Sequence, residues 1–267
     1  MELTMDKQME RVVDADQYTL WQILGLLALV AIPMPILSYV IAPAFASATG
    51  IHPGIARWLM ITVGLAWLFV VSAVMLYLEL GTLRWSVVRK RTWYRRPRDP
   101  KTGEPKARLL WWALPAVLLN ALVTLSPISA LLDGAVTTVF PFLAPPATAD
   151  MSQLVSPEFV GQWWLLGIVL VSSLFNYFLG EELFFRGVLL PKMNGVFGRW
   201  DWLANAAFFA LWHLHMPWHI LTIVAAFAFA AWASRRFRSN WIFFIAHGVD
   251  GVFTILMVLA VVTGLAV

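Results

Sequence analysis

Seven apolar stretches, most of them near or beyond the roughly 20 residues that carry an α-helix across a bilayer, dominate this chain and dictate its solvent. They run from about Tyr18 to Ala46, Ala56 to Leu83, Leu109 to Leu132, Phe159 to Leu190, Trp200 to Met216, Trp218 to Ala233 and Trp241 to Leu265. Two are short, and the fourth is long enough to bend or to continue past the membrane. The pattern predicts an all-α fold, a polytopic transmembrane helical bundle of about seven spans (six to eight). Composition agrees, since 13% of the 267 residues are charged against about a quarter in an ordinary soluble domain. The 15 tryptophans and 18 phenylalanines suit lipid-facing surfaces and interfacial belts. There is no cysteine, which excludes disulfides, thiolate metal sites and a cysteine nucleophile.

The opening MELTMDKQMERVVDADQ is acidic, and the apolar run behind it exceeds a signal-peptide core. It reads as an uncleaved first span, kinked near Pro33 and Pro35. No internal repeat or soluble domain is evident. The chain divides into an N-terminal transmembrane region, 1–158, containing a basic loop at 84–108, and a core at 159–267 with the active site on its last four helices.

Charge orients the bundle. Ten lysines and arginines lie between Arg84 and Arg108, whereas the segment from Asp133 to Glu158 has none. The positive-inside rule makes the first cytoplasmic and the second external. Alternation then puts Lys192, Arg199, Arg235, Arg236 and Arg238 inside and Pro217 outside. The basic loop is expected to be a solvated topogenic segment. The N-terminus and the active-site opening are both expected to be cytoplasmic, and the arginine-rich basic set suggests a bacterial inner or plasma membrane.

The costly residues are those inside the spans, where a central acidic side chain costs roughly 2.5–3.5 kcal/mol. Glu181 lies eleven residues before Lys192, His213 fourteen after Arg199 and His247 nine after Arg238. At 1.5 Å per residue all three sit roughly 13–21 Å from the cytoplasmic ends of different helices. One polar site is the economical reading. Within it, Glu182 and Arg186 are four apart with the acid first, the favoured order for a helical ion pair. Pairing there would leave Glu181, on a different face, as candidate general base.

These residues carry a family resemblance. Glu181-Glu182-Leu-Phe-Phe-Arg186 resembles the E-E-x-x-x-R motif of the CAAX protease and bacteriocin-processing (CPBP, Abi-type) family of intramembrane endopeptidases. Phe209-Ala-Leu-Trp-His213 resembles its F-x-x-x-H motif, and His247 its third, H-x-x-x-N or D. The resemblance covers about residues 160–262. It implies a peptidase that needs no cofactor or metal, with Glu181 and His213 activating a water and His247 stabilising the oxyanion. Glu182 and Arg186 would hold the site together. Position 251 departs from the pattern, being Gly251; Asp250, three residues after His247, shares its face and is expected to orient it or keep it protonated.

The expected partners are the lipid bilayer and a membrane-tethered protein or peptide substrate, with no nucleic acid. Other readings stay open. A zinc-dependent membrane metalloprotease could use Glu181, His213 and His247 as ligands, although no H-E-x-x-H is present. A non-catalytic binding or immunity protein could use the same scaffold. His215 and His219 are expected off the catalytic level as interfacial residues, and His52 as loop chemistry.

Overall fold

The computed structural model describes residues 16–267; the acidic opening segment read above lies almost wholly outside them. Among the described residues six helices are long and apolar enough to cross a membrane, within the expected range. They are α1 (Leu20–Thr49), α2 (Pro53–Leu80), α3 (Ala107–Thr124), α5 (Trp164–Lys192), α7 (Pro217–Phe237) and α8 (Asn240–Val262). Shorter helices lie between them, among them α4 (Pro127–Val139) and α6 (Asp201–Trp212).

Local chemistry sets the boundaries. Thr19 and Gln22 form a reciprocal capping box at the start of α1. His52 caps α2, its Nδ1 accepting from the Gly54 amide at 3.2 Å, with Pro53 in the first turn. The third apolar stretch is not one span. Ser126 caps a new helix that begins at Pro127, so α4 turns away from α3 and packs on α7, where Thr222 donates to Asp133 at 2.6 Å.

Two helices leave α geometry. In α1 the break is π-helical at Leu37–Ile41, just past Pro33 and Pro35. In α5 the π-helical stretches are Phe175–Gly180 and Glu182–Leu189, which bracket Glu181. Such bulges gather at functional sites because they re-aim side chains. Gly180 permits the close approach that accompanies this one. A Cβ there would fall on the Phe175 carbonyl and within 2.8 Å of the Leu65 carbonyl of α2.

The basic loop is not the solvated segment the sequence suggested. Lys90, Arg91, Thr92, Trp93 and Tyr94 are buried. Arg91 pairs with Glu79 at 2.6 and 2.9 Å and donates to the Gly187 and Val188 carbonyls at 2.9 and 3.3 Å. Those carbonyls belong to the π-helical turn, so Arg91 satisfies acceptors that an irregular ladder leaves exposed. Tyr94, kept neutral by a burial that pushes its hydroxyl well up, donates to the Phe178 carbonyl at 3.1 Å. Lys192, also buried, completes a charge cluster 3.3 Å from Glu79. The segment is a plug under the C-terminal half of α5.

Candidate active site

Each motif reaches the site from its own helix. Glu181 and Glu182 come from the α5 bulge, His213 from the end of α6, and His247 from the middle of α8; all four are buried. His213 follows the last turn of α6 rather than sitting inside a span, because the chain turns over residues 213–216 before Pro217 restarts the helix.

The Glu181 carboxylate is the hub. Its Oε1 accepts the indole N–H of Trp212 at 2.8 Å and lies 3.6 Å from His213 Nε2. Its Oε2 is 4.0 Å from His247 Nδ1. The Asn176 amide, with its nitrogen turned toward Glu181, donates at 3.0 and 3.2 Å. On His213, Nδ1 lies 2.8 Å from the Phe209 carbonyl. That network assigns the proton to Nδ1 and leaves Nε2 as an acceptor facing Glu181.

Glu182 faces the other way. Its Oε1 meets His247 Nδ1 at 2.5 Å, and its backbone carbonyl accepts from Asn240 at 3.0 Å. The expected Glu182–Arg186 ion pair is absent among the described residues. All three guanidinium nitrogens of the fully buried Arg186 lack a hydrogen-bond partner. The π-helical ladder widens the turn, so residues four apart no longer stack as they do in an α-helix. Arg186 instead lies over the rings of Phe243 and Phe209, 3.6 and 4.2 Å from their centroids, a cation–π setting.

Asp250 does not touch His247. Both of its carboxylate oxygens accept from Asn120 of α3 at 3.0 Å. The space beside His247 is filled by Tyr177, whose ring centroid is 4.7 Å from that of His247. A Cβ on Gly251 would collide with this ring, approaching its Cδ2 within 2.6 Å and its Cζ within 3.1 Å. Gly251 and Tyr177 are thus a complementary pair.

A cavity of about 710 Å³ reaches Glu181 and His213. Its wall includes Ser172, Asn176, Tyr177 and Thr254, and it runs out past Gly54, Arg57, Trp218 and His219 to the segment 145–150. That mouth lies at the end of the bundle remote from the basic plug. The sequence placed the opening at the basic end, whereas the residues lining this cavity come from the other end of the bundle. The basic end is sealed by the Arg91–Tyr94 plug and by the buried Phe184 and Phe185. His215 also differs from expectation, being buried with its ring stacked 5.5 Å from that of His213. His219 behaves as expected at the turn, 2.7 Å from Asp133.

Glu181, Glu182 and His247 could converge on a cation, since one ligand atom from each lies within 4.8 Å of the others. His213 is outside that trio. The donor set is a weak fit, because His247 Nδ1 is engaged by Glu182 and the buried charge of Arg186 stands nearby.

Sequence reasoning missed Trp212, Asn176, Tyr177 and Asn120. For Trp212 a signal existed, since an indole N–H in an apolar interior must find an acceptor and this one adjoins His213. For the others there was none, as each reaches the site through helix packing.

The comparisons with known proteins meet this geometry in the same region. No curated protein and no solved structure matches the chain. Residues 162–253 match the family described as Type II CAAX prenyl endopeptidase Rce1-like, a stretch that contains both glutamates, Arg186, both site histidines and the cavity-facing Asn176 and Tyr177. The chain is a polytopic membrane protein whose residues 162–253 are similar to the Rce1-like family, described as type II CAAX prenyl endopeptidases.

Proposed function

We propose that this protein hydrolyses peptide bonds of membrane-associated proteins or peptides with a water activated by Glu181 and His213. The observation that carries the reading is the Glu181–His213 pair at the cavity wall. Its 3.6 Å separation is too long for a direct hydrogen bond and suits one water donating to both. Glu181 takes a proton as the water oxygen attacks the peptide carbonyl carbon. The tetrahedral oxyanion then collapses, the C–N bond breaks, and the leaving amine takes the proton back from Glu181. Trp212 and Asn176 hold the carboxylate in place. Glu182 anchors His247, and Arg186 supplies positive charge behind them.

The oxyanion needs donors. His247 faces the site, and Tyr177 fills the space that a side chain at 251 would take. The Tyr177 hydroxyl faces Thr254 and Asn176 on the cavity wall. Its O–H can donate as an asparagine amide would, which answers the departure at Gly251.

Substrate approach follows from the cavity and the charge. Among the described residues, every lysine and arginine outside the membrane interior except Arg57 lies at the plugged end. By the positive-inside rule that end is cytoplasmic, so the cavity receives polypeptide from the opposite side of a bacterial plasma membrane. The chain has no cysteine, so single cysteines report orientation cleanly. Thr148→Cys should react with a membrane-impermeant maleimide in intact cells and Thr102→Cys only after permeabilisation; the reverse pattern would invert the topology.

Purified protein in lipid nanodiscs, given a quenched-fluorescence peptide library, should show cleavage that Glu181→Gln lowers by about 10²–10⁴-fold without loss of folded protein. Equal cleavage by both proteins would overturn the assignment. The compact Glu181, Glu182 and His247 trio supports a second reading, a zinc hydrolase. The same assay separates them, since the glutamate mechanism survives chelation. Activity lost to a chelator and restored by zinc alone would favour the metal.

A further inference from the structure

We infer that a second cavity, lined by arginines at the basic end, binds a phosphate group, that of an anionic phospholipid headgroup. This cavity is separate from the one that reaches Glu181 and His213. The inference therefore stands or falls independently of the proteolytic reading.

The cavity has a volume of about 450 Å³ and is walled by three separate segments: the hairpin at 98–103, the start of α6 and the end of α7. Arg98, Arg199, Arg235, Arg236 and Arg238 line it, against two acids, Asp99 and Asp201. Both acids are already matched. Asp99 pairs at 2.7 Å with Lys106, a cation from outside the lining, and Asp201 pairs with Arg235. Arg199 and Arg236 are exposed and have no carboxylate partner among the described residues. The wall thus carries an excess of positive charge that a ligand can reach.

A topogenic signal needs only basic residues on one side of the membrane, and this construction does more. The hairpin is closed by the Gly103 amide, which donates to the Asp99 carbonyl at 2.8 Å, and by the Lys106 amide, which donates to the Pro97 carbonyl at 2.8 Å. It is fastened to α7 by the Arg98 amide, which donates to the Phe237 carbonyl at 2.8 Å. The next residue, Arg238, ends α7 with φ at 47°. Glycine adopts that left-handed conformation freely at a helix C-terminus, whereas a bulky side chain seldom does. The chain keeps an arginine at this unfavourable position, on the cavity wall. Backbone strain of that kind gathers where a ligand is held.

Arginine and tryptophan together name the ligand. A guanidinium fork meets two oxygens of one phosphate by parallel hydrogen bonds. Trp202 and Trp232 line the cavity, the Trp112 ring lies 5.6 Å from that of Trp232, and Arg199 stands 5.1 Å from the centroid of the exposed Trp200 ring. Tryptophan gathers at the boundary between hydrocarbon and water, the depth at which a phospholipid carries its phosphate. Basic pockets between helices at a membrane face recognise anionic headgroups. A zwitterionic headgroup brings its own ammonium and gains less from the same wall.

The test places the full-length protein in nanodiscs of phosphatidylcholine, with or without phosphatidylglycerol, and reads thermal unfolding and, by native mass spectrometry, retained lipid. Phosphatidylglycerol should raise the thermal midpoint by about 5 °C and should be retained on the released protein in preference to phosphatidylcholine. Arg199→Gln with Arg236→Gln should weaken that retention by about ten- to thirtyfold and remove most of the shift. Its midpoint in phosphatidylcholine alone should match wild type, since both side chains are exposed. Arg84→Gln with Arg108→Gln removes two exposed arginines outside the cavity and should leave retention and shift intact. Equal losses in the two double variants would reduce the effect to diffuse surface attraction and overturn the site. Inorganic phosphate added to the phosphatidylcholine discs separates the sources of the anion. A phosphate response that needs Arg199 and Arg236, without any response to phosphatidylglycerol, would overturn the lipid and assign the cavity to a soluble phosphate. No response to either anion that depends on these two arginines would overturn the phosphate site altogether.

Discussion

The two ends of the bundle treat arginine in opposite ways. At the basic end Arg91 is fully buried and matched by Glu79 and by two carbonyls of the α5 bulge. At the other end Arg57 is almost as buried, with one guanidinium nitrogen unpartnered and no counter-ion among the described residues. The first end is closed by its charges, whereas the second keeps a charge beside an open cavity. Burial of a cation thus takes two forms here, with every guanidinium nitrogen matched at Arg91 and one left without a partner at Arg57.

The largest effect that would break this comparison is on stability. Arg91→Met leaves Glu79 with Lys192 as its remaining cation and the bulge carbonyls without their donor, so it should cost about 3–5 kcal/mol in reversible unfolding from detergent. Arg57→Met, by removing an uncompensated charge, should leave stability unchanged or raise it. Similar losses for both would show that Arg57 is structural after all.

Next in size is the Gly251–Tyr177 pair on the cavity side. Tyr177→Phe keeps the ring against His247 and removes one donor, so kcat should fall by about 10²–10³-fold with KM little changed. Gly251→Asn alone should be destabilising, because its Cβ meets the Tyr177 ring. Tyr177→Ala combined with Gly251→Asn should recover part of kcat. If Tyr177→Phe retains full activity, His247 alone serves the oxyanion.

The smallest effect concerns pH at the basic end. A hydrogen bond from the Lys106 ammonium, followed by those from backbone amides, holds the half-buried Asp99 carboxyl down to about 2. Since the unfolded value is near 3.9, its contribution is present above that value and is lost as pH falls through about 2. A carboxyl-carbon titration by NMR should show the low midpoint, and Lys106→Gln should move it up toward the ordinary range with no measurable change in global stability.

Much of the fold was legible because hydrocarbon enforces long apolar runs, and the loops between them carry their charge openly. The one misread span shows the limit, since Leu109 to Leu132 is continuous in hydropathy and is broken by the Ser126-Pro127 cap. The proximity of Glu181, His213 and His247 was legible too, since polar residues at matching depths in an apolar bundle have few other partners. The Glu182–Arg186 pairing was misread because α-helical spacing was assumed where the backbone is π-helical.

What the sequence determined by itself is therefore the solvent, the helical class, the asymmetry of charge and the residue types gathered at one level. These follow from composition and spacing along one dimension. Only the tertiary structure decided that His247 serves Glu182 while Trp212 and Asn176 serve Glu181, that Tyr177 occupies the space beside Gly251, and that the cavity opens away from the basic plug. Each of those depends on which helix faces which. In a bundle, the small translations and rotations that set those faces come from side-chain packing, for which a single apolar sequence has many near-equivalent solutions.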